Sequence, residues 1–165
     1  MSRLLERLES LVLVEYSQFT VQDYDGAHRA LTLGSDQDPN VRLAGGRGGL
    51  WIRSFATDHY SRVVLELWDV PQAVAPQGWE SIGKADFLTD GSRLRLASTT
   101  SEYGPGELAL GERGSFGADV SVAGRDRVEA LDVASFAEGV EQWLIRIWRN
   151  QGVSIPAVPE LYLRP

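Results

Sequence analysis

An all-β fold, a two-sheet antiparallel β-sandwich with a short N-terminal helix, is predicted by three features of this chain. Apolar and polar residues alternate along several short segments. Gly, Pro, Asn and Asp punctuate the stretches between those segments. Each segment keeps one polar face, which leaves an apolar face that needs a second layer. One helix cannot cover that many strands, so a second sheet is the economical partner. The 165 residues, 43% hydrophobic and 24% charged, suit one globular domain spanning 1–165.

At the N-terminus, Leu4, Leu5, Leu8 and Leu11 follow helical spacing, with Arg3, Glu6, Arg7 and Glu9 on the other side. A helix this short needs to dock its leucine stripe. Segments around Leu11–Val21, Arg29–Leu33, Leu50–Phe55 and Glu107–Leu110 are strand-like, with the inward face undecided. Ala44–Gly49 and Tyr103–Gly106 are glycine-punctuated and read as hairpin loops.

The clearest alternation comes later. In Arg62–Asp69, Val63, Leu65 and Leu67 share one face, while Arg62, Val64, Glu66 and Trp68 share the other. Leu94 and Leu96 point inward from Arg93–Ser98. Ser115–Ala123 places Phe116, Ala118, Val120 and Val122 together, and Gln142–Arg149 does the same with Trp143, Ile145 and Ile147. Asp126–Glu141 fits neither period, and a helical turn near Val133–Glu138 is the expectation there.

No motif for catalysis, metal or cofactor emerges. Asp36–Asn40 opens like a calcium loop, but Val41 and Arg47 stand where that loop needs Gly and a bidentate Glu, so a polar turn is the better reading. With no Cys and only His28 and His59, a zinc site has no ligand spacing to build on. Arg113 replaces the first glycine of a nucleophile elbow before Ser115. A Ser, a His and an acid can still converge in space, because triads are defined by geometry. Gly45–Gly49 lacks the Gly-Lys-Ser/Thr ending of a phosphate loop, and a strand-like segment follows it where that loop needs a helix.

Sixteen basic against 23 acidic residues give a net charge of −7. That balance disfavours nucleic acid, suits a basic protein partner, and also keeps a chain in solution. No apolar run approaches the roughly 18–20 residues of a membrane span. Met1–Arg7 carries charges where a secretory leader needs an apolar core. Together with the absence of Cys, this predicts a cytoplasmic protein.

The candidate binding residues are Trp68, Trp148, Trp79, Glu66 and Arg146. Trp148 shares the polar side of its strand with Arg146, and Trp68 shares its side with Glu66. A tryptophan so placed is covered by a loop or helix, has its facing reversed by a bulge, or waits for a partner. Trp79 lies in the turn-rich Pro76–Glu80, where it either caps the sandwich or stacks on a ligand.

The stretch Val14-Glu15-Tyr16-Ser17-Gln18-Phe19-Thr20-Val21 resembles the Tyr-Ser-Gln-Phe opening of the competence protein J family. That family continues into β-rich sequence and includes an inhibitor of a nuclease of DNA uptake. The resemblance implies a cytoplasmic inhibitor or immunity protein, and it assigns no inhibitory residue. Two other readings stay open: a small-molecule or carbohydrate-binding sandwich, with Trp79 or Gly45–Gly49 as a lid, and an enzyme with a convergent carboxylate site.

Overall fold

Where side chains alternate and turn residues intervene, the chain forms strands. The computed structural model describes residues 1–100, 103–132 and 135–151. Its strands are β1 (Leu4–Val14), β2 (Gln18–Asp23), β3 (Leu43–Gly46), β4 (Gly49–Arg53), β5 (His59–Trp68), β6 (Glu80–Thr89), β7 (Arg93–Ser98), β8 (Leu108–Ala109), β9 (Gly114–Ala123) and β10 (Glu138–Arg149). A 3-10 turn at Ala30–Gly34 and one short helix, α1 (Arg125–Val128), interrupt them.

Two five-stranded sheets result, ordered β1-β5-β10-β9-β6 and β3-β4-β2-β7-β8. Val63, Leu65, Phe116, Val120, Trp143 and Ile145 of the first sheet share one buried core with Phe19, Val21, Leu50, Ile52, Leu94 and Leu96 of the second. The residues that alternation turns inward are therefore withdrawn from water.

Four expectations need correction. The N-terminal leucine stripe is not a helix: Leu4–Val14 is the edge strand β1, paired with β5 from Leu4↔Trp68 to Val14↔His59. Its spacing served two periods at once, and a strand ladder outweighs an isolated short helix. The sandwich is also not wholly antiparallel, because β5 and β10 run parallel. Arg29–Leu33 is no strand; the 3-10 turn Ala30–Gly34 overlaps it and lies over Trp51, so close that a Cβ on Gly34 would enter the indole. The helix of the Asp126–Glu141 connection lies at Arg125–Val128, ahead of the expected place, while Val133 and Ala134 of that expectation fall outside the described residues.

The parallel pair has a topological consequence. Since β10 is antiparallel to β9 and β9 to β6, strands β5 and β6 point the same way with two strands between them. The chain from Asp69 to Trp79 must therefore return along the sheet, and it does so over the outer face, where Arg146 donates 2.7 Å to the Val74 carbonyl. Beneath it lies a row of alternating charge in register across all five strands: Arg7, Glu66, Arg146, Asp119 and Lys84. In the next row the Trp148 indole lies over Gly117, where a Cβ would stand 2.5 Å from Nε1. Gly117→Val overpacks this contact, and urea unfolding is expected to register a loss of about 1–3 kcal/mol.

Candidate functional site

Three connections converge at one end of the sandwich. The first joins β1 to β2 through Tyr16-Ser17, closed by the Gln18 amide on the Glu15 carbonyl at 3.2 Å. Both residues have positive φ, 54° and 57°, as a two-residue turn requires to match the right-handed twist of its strands. Gly or Asn normally occupies such positions, since a left-handed conformation costs other residues roughly 1–2 kcal/mol. The second connection, Ser54–Asp58, is tied to the first by Ser54 N to Ser17 O and Asp58 N to Val14 O, both 2.8 Å. The third enters β10, with Phe136 N on Asp58 O and Tyr60 N on Ala137 O, both 2.9 Å.

Tyr16, Ser17, Asp58 and Phe136 are the non-glycine residues with positive φ among the described residues, and all lie in these loops. Such strain persists only where the surroundings over-determine it. Here the loops brace one another backbone to backbone, and what they present is aromatic and acidic. Tyr16 is 76% exposed and Phe136 50%. Asp58 and Glu138 form no ion pair with any described residue, and Glu15 accepts from the Thr100 hydroxyl at 2.7 Å. On the outer face of the sheet, Leu11, Leu13, Tyr60 and Glu138 line a shallow depression beside this end.

A fully buried carboxylate holds the end together. Glu141 accepts the Ser54 hydroxyl at 2.7 and 2.9 Å, the Ser61 hydroxyl at 2.6 Å, the Trp143 indole N–H at 2.7 Å and the Phe55 amide at 3.0 Å. It thereby fastens the Ser54–Asp58 loop to β5 and β10. Phe55 stacks on Trp143, with ring centroids 6.2 Å apart, and carries the Arg42 guanidinium 3.8 Å above its ring.

His59 completes this cluster, its Nε2 at 3.1 Å from Ser54 Oγ and 3.9 Å from Glu141. A serine, a histidine and an acid have thus converged, yet the order is not that of a hydrolytic triad. The carboxylate binds the serine directly instead of orienting the far side of the imidazole. All three side chains are also withdrawn from solvent, so the cluster is a structural clasp.

Burial pushes the His59 pKa below its ordinary 6.5, against the opposing pull of Glu141, the Ala56 carbonyl and Asp58. The folded state therefore resists a proton that the unfolded chain accepts. The resulting stability is fully present above pH 6.5 and is lost as pH falls from there toward the folded-state value. Urea midpoints between pH 7.5 and 5 should decline for the native chain and decline less for His59→Gln.

The residues singled out by sequence are placed as follows. Glu66, Arg146, Trp68 and Trp148 come together in two adjacent rows on the outer face of the first sheet. Trp148 is 7% exposed and Arg146 6%, the latter paired with Asp119 beneath the Asp69–Trp79 crossing. Trp68 is half-buried and donates its indole N–H to Glu66 at 2.9 Å. Trp79 stands apart from these rows, half-buried at the end of the crossing, its amide on the Pro76 carbonyl. A partner approaching this face meets Glu66, Trp68 and the crossing itself. The glycine cluster closes as the β3–β4 hairpin, pinned by Gly48 N to Leu88 O at 2.9 Å and Asp23 N to Gly48 O at 2.8 Å. In Asp36–Asn40 the Asp38 carboxylate accepts the Asn40 amide, as a polar turn requires.

Sequence reading missed Glu141, Ser61, Tyr16 and Phe136 as site residues. A signal for the first two existed. Extending the inward parity of Trp143 and Ile145 back by two residues reaches Glu141, and that of Val63 and Leu65 reaches Ser61 and His59.

Taken together, the geometry defines a β-sandwich with a braced loop end and a sealed interior. No family model matches the sequence, and no curated protein matches it significantly. Two solved structures share the fold. One is ComJ from Bacillus subtilis, inhibitor of the DNA degrading activity of NucA, 14% identical, with a TM-score of 0.56 over 91% of this chain and 99% of that one. The other is the protein of crocagin biosynthetic gene J, 10% identical, with a TM-score of 0.54 over 92% and 99%. The resemblance carried by Tyr16-Ser17-Gln18-Phe19 thus extends to the whole fold. In this chain the segment makes the strained turn, bonds Gln18 to the Trp51 indole at 2.7 Å, and sets Phe19 against Trp143.

Proposed function

We propose that this chain is a protein-binding module of the inhibitor or immunity type, acting on a basic partner through the braced loop end. The observation that carries the reading is the combination there of exposed Tyr16 and Phe136 with the carboxylates of Asp58 and Glu138, which have no ion-pair partner among the described residues. Aromatic anchors held by rigid backbone lose little entropy on docking, and acidic groups beside them steer a basic surface into register. The fold shared with a nuclease inhibitor supports a nuclease as the partner class. A basic cleft that holds phosphate can be occupied by carboxylates presented at fixed spacing.

The test is affinity capture from the native cell, run in parallel with the native chain and a Tyr16→Ala, Asp58→Arg variant. One basic protein retained by the native chain alone, whose nuclease activity falls when the chain is added, is the expected result. Equal recovery by both forms removes the loop end from the proposal. If the retained protein's activity is unchanged, inhibition goes too.

A further inference from the structure

A cavity of about 220 Å³ opens on the second sheet, and none of Tyr16, Asp58, Phe136 and Glu138 lines it. Its floor is the outward side of β2 and β7, with Thr20, Gln22, Arg95 and Ala97; Phe19, Val21, Leu94 and Leu96 face the core on the opposite side. The Gly26–Leu31 segment and Tyr103 form its walls. Most polar groups around it are already engaged. Gln22 donates to the His28 carbonyl at 2.7 Å and accepts the Ala30 amide at 2.8 Å. The Asp23 carboxylate receives the Asp90 amide at 2.7 Å and the Gly91 amide at 3.3 Å. These residues build the wall.

Arg95 is different. Its guanidinium lies 3.4 Å from the Tyr103 ring centroid and 4.5 Å from that of Tyr24. Its Nε is buried without a partner, and it donates no hydrogen bond to any described residue. The adjacent outward arginine, Arg93, is by contrast bound to Asp25 and Glu107. Thr20, also on the floor, has a hydroxyl with no described partner. Stacking between two rings fixes the plane of a guanidinium while leaving its N–H edge to recognise something else. With Nε shut off from solvent, an entering ligand meets the two Nη groups, and a planar oxyanion is the group that such a pair fits best.

We propose that this cavity binds a small organic monocarboxylate, its carboxylate seated on the Arg95 fork and its neutral body along Ala27, Leu31 and Ala97. Charge selects a single negative group. Arg95 lies in the field of Asp25, Asp23 forms part of the wall, and the whole chain carries −7. Arg29, a second guanidinium on the wall, is already engaged, so a phosphate dianion would meet Asp23 and Asp25 with Arg95 alone to offset them. Size selects a small body, because the volume falls below the roughly 300–1,000 Å³ typical of drug-sized clefts. The inference is independent of the protein-binding reading, which rests on other loops.

The test is a titration of the full chain with N-acetylglycine, followed through the Arg95 Nε–Hε and backbone amide resonances. N-acetylglycinamide serves as the uncharged control and inorganic phosphate as the competitor. Saturable shifts around Arg95 with the acid, none with the amide, and affinity weakened about tenfold or more in Arg95→Lys are expected, since a lysine keeps the charge but not the fork. Equal shifts from the amide overturn the proposal, as does unchanged affinity in Arg95→Lys. Tighter saturation by phosphate than by the acid overturns it in favour of a phosphate site. Absence of saturation by about 20 mM, where binding contributes only ~2 kcal/mol, overturns it outright. The backbone spectrum of Arg95→Lys reports folding in the same experiment.

Discussion

Replacing Glu141 with alanine is expected to cost about 3–5 kcal/mol of folding stability, the range seen when one member of a buried charged network is removed. The carboxylate accepts from Ser54, Ser61, Trp143 and the Phe55 amide, so its loss strips the acceptor from Ser61, Trp143 and Phe55 and leaves Ser54 with His59 alone. Each unmatched group forfeits its own desolvation cost, and no water replaces the acceptor unless the core opens. Glu141→Gln keeps one carbonyl oxygen but points an amide NH₂ at hydroxyl and indole donors, so it should fall between the native chain and Glu141→Ala. The damage also has a direction. Glu141 fastens Ser54 and Phe55, so hydrogen exchange in Glu141→Gln should quicken first at Phe55–Asp58 and at Phe136, whose amide binds the Asp58 carbonyl. If Glu141→Ala lowers stability by under about 1 kcal/mol in urea unfolding, the clasp is not what holds this end.

How far the sequence reveals this arrangement depends on which residues are asked. Strands β5, β7, β9 and β10 are legible because each carries a continuous apolar inward row, and those rows are buried. Strand β1 was not, since Leu4, Leu8 and Leu11 satisfy helical spacing while Leu8, Val12 and Val14 satisfy a strand. Only pairing with β5 decides between them. Likewise, nothing local distinguishes β5–β10 as parallel, and the crossing that binds Arg146 follows from that one fact. Of the two tryptophans on polar faces, Trp148 is buried over Gly117 beside an Arg146 that the Asp69–Trp79 crossing covers, while Trp68 stays half-buried. The loop end was the least legible part. Tyr16-Ser17 contains neither Gly nor Asn, so it carries no turn signature, and the left-handed φ of Asp58 and Phe136 arises from loops 40 to 80 residues away that meet only in the folded chain.

That absent turn signature sets up the second large effect. A two-residue turn with positive φ at both positions is best served by Asn-Gly. Tyr16→Asn with Ser17→Gly should therefore relieve strain and raise stability by about 1–2 kcal/mol. The same pair of changes removes the aromatic ring that is 76% exposed at the tip of the loop end. Truncating a central aromatic anchor costs about 2 kcal/mol or more of binding, roughly 30-fold in affinity. Adding Phe136→Ala should take the loss toward ~1,000-fold, if the two rings act independently. The variant would thus be more stable and bind less well, the sign pattern of a turn kept strained for what it presents. Asp58→Arg separates the electrostatic share, since it should slow association and weaken its dependence on salt while leaving dissociation nearly unchanged. Urea unfolding and surface-immobilised binding to the captured partner measure both quantities on the same preparations. A turn variant that is less stable than the native chain would place Tyr16 in the folding of the hairpin, and one that binds as tightly would leave its exposure without a role in recognition.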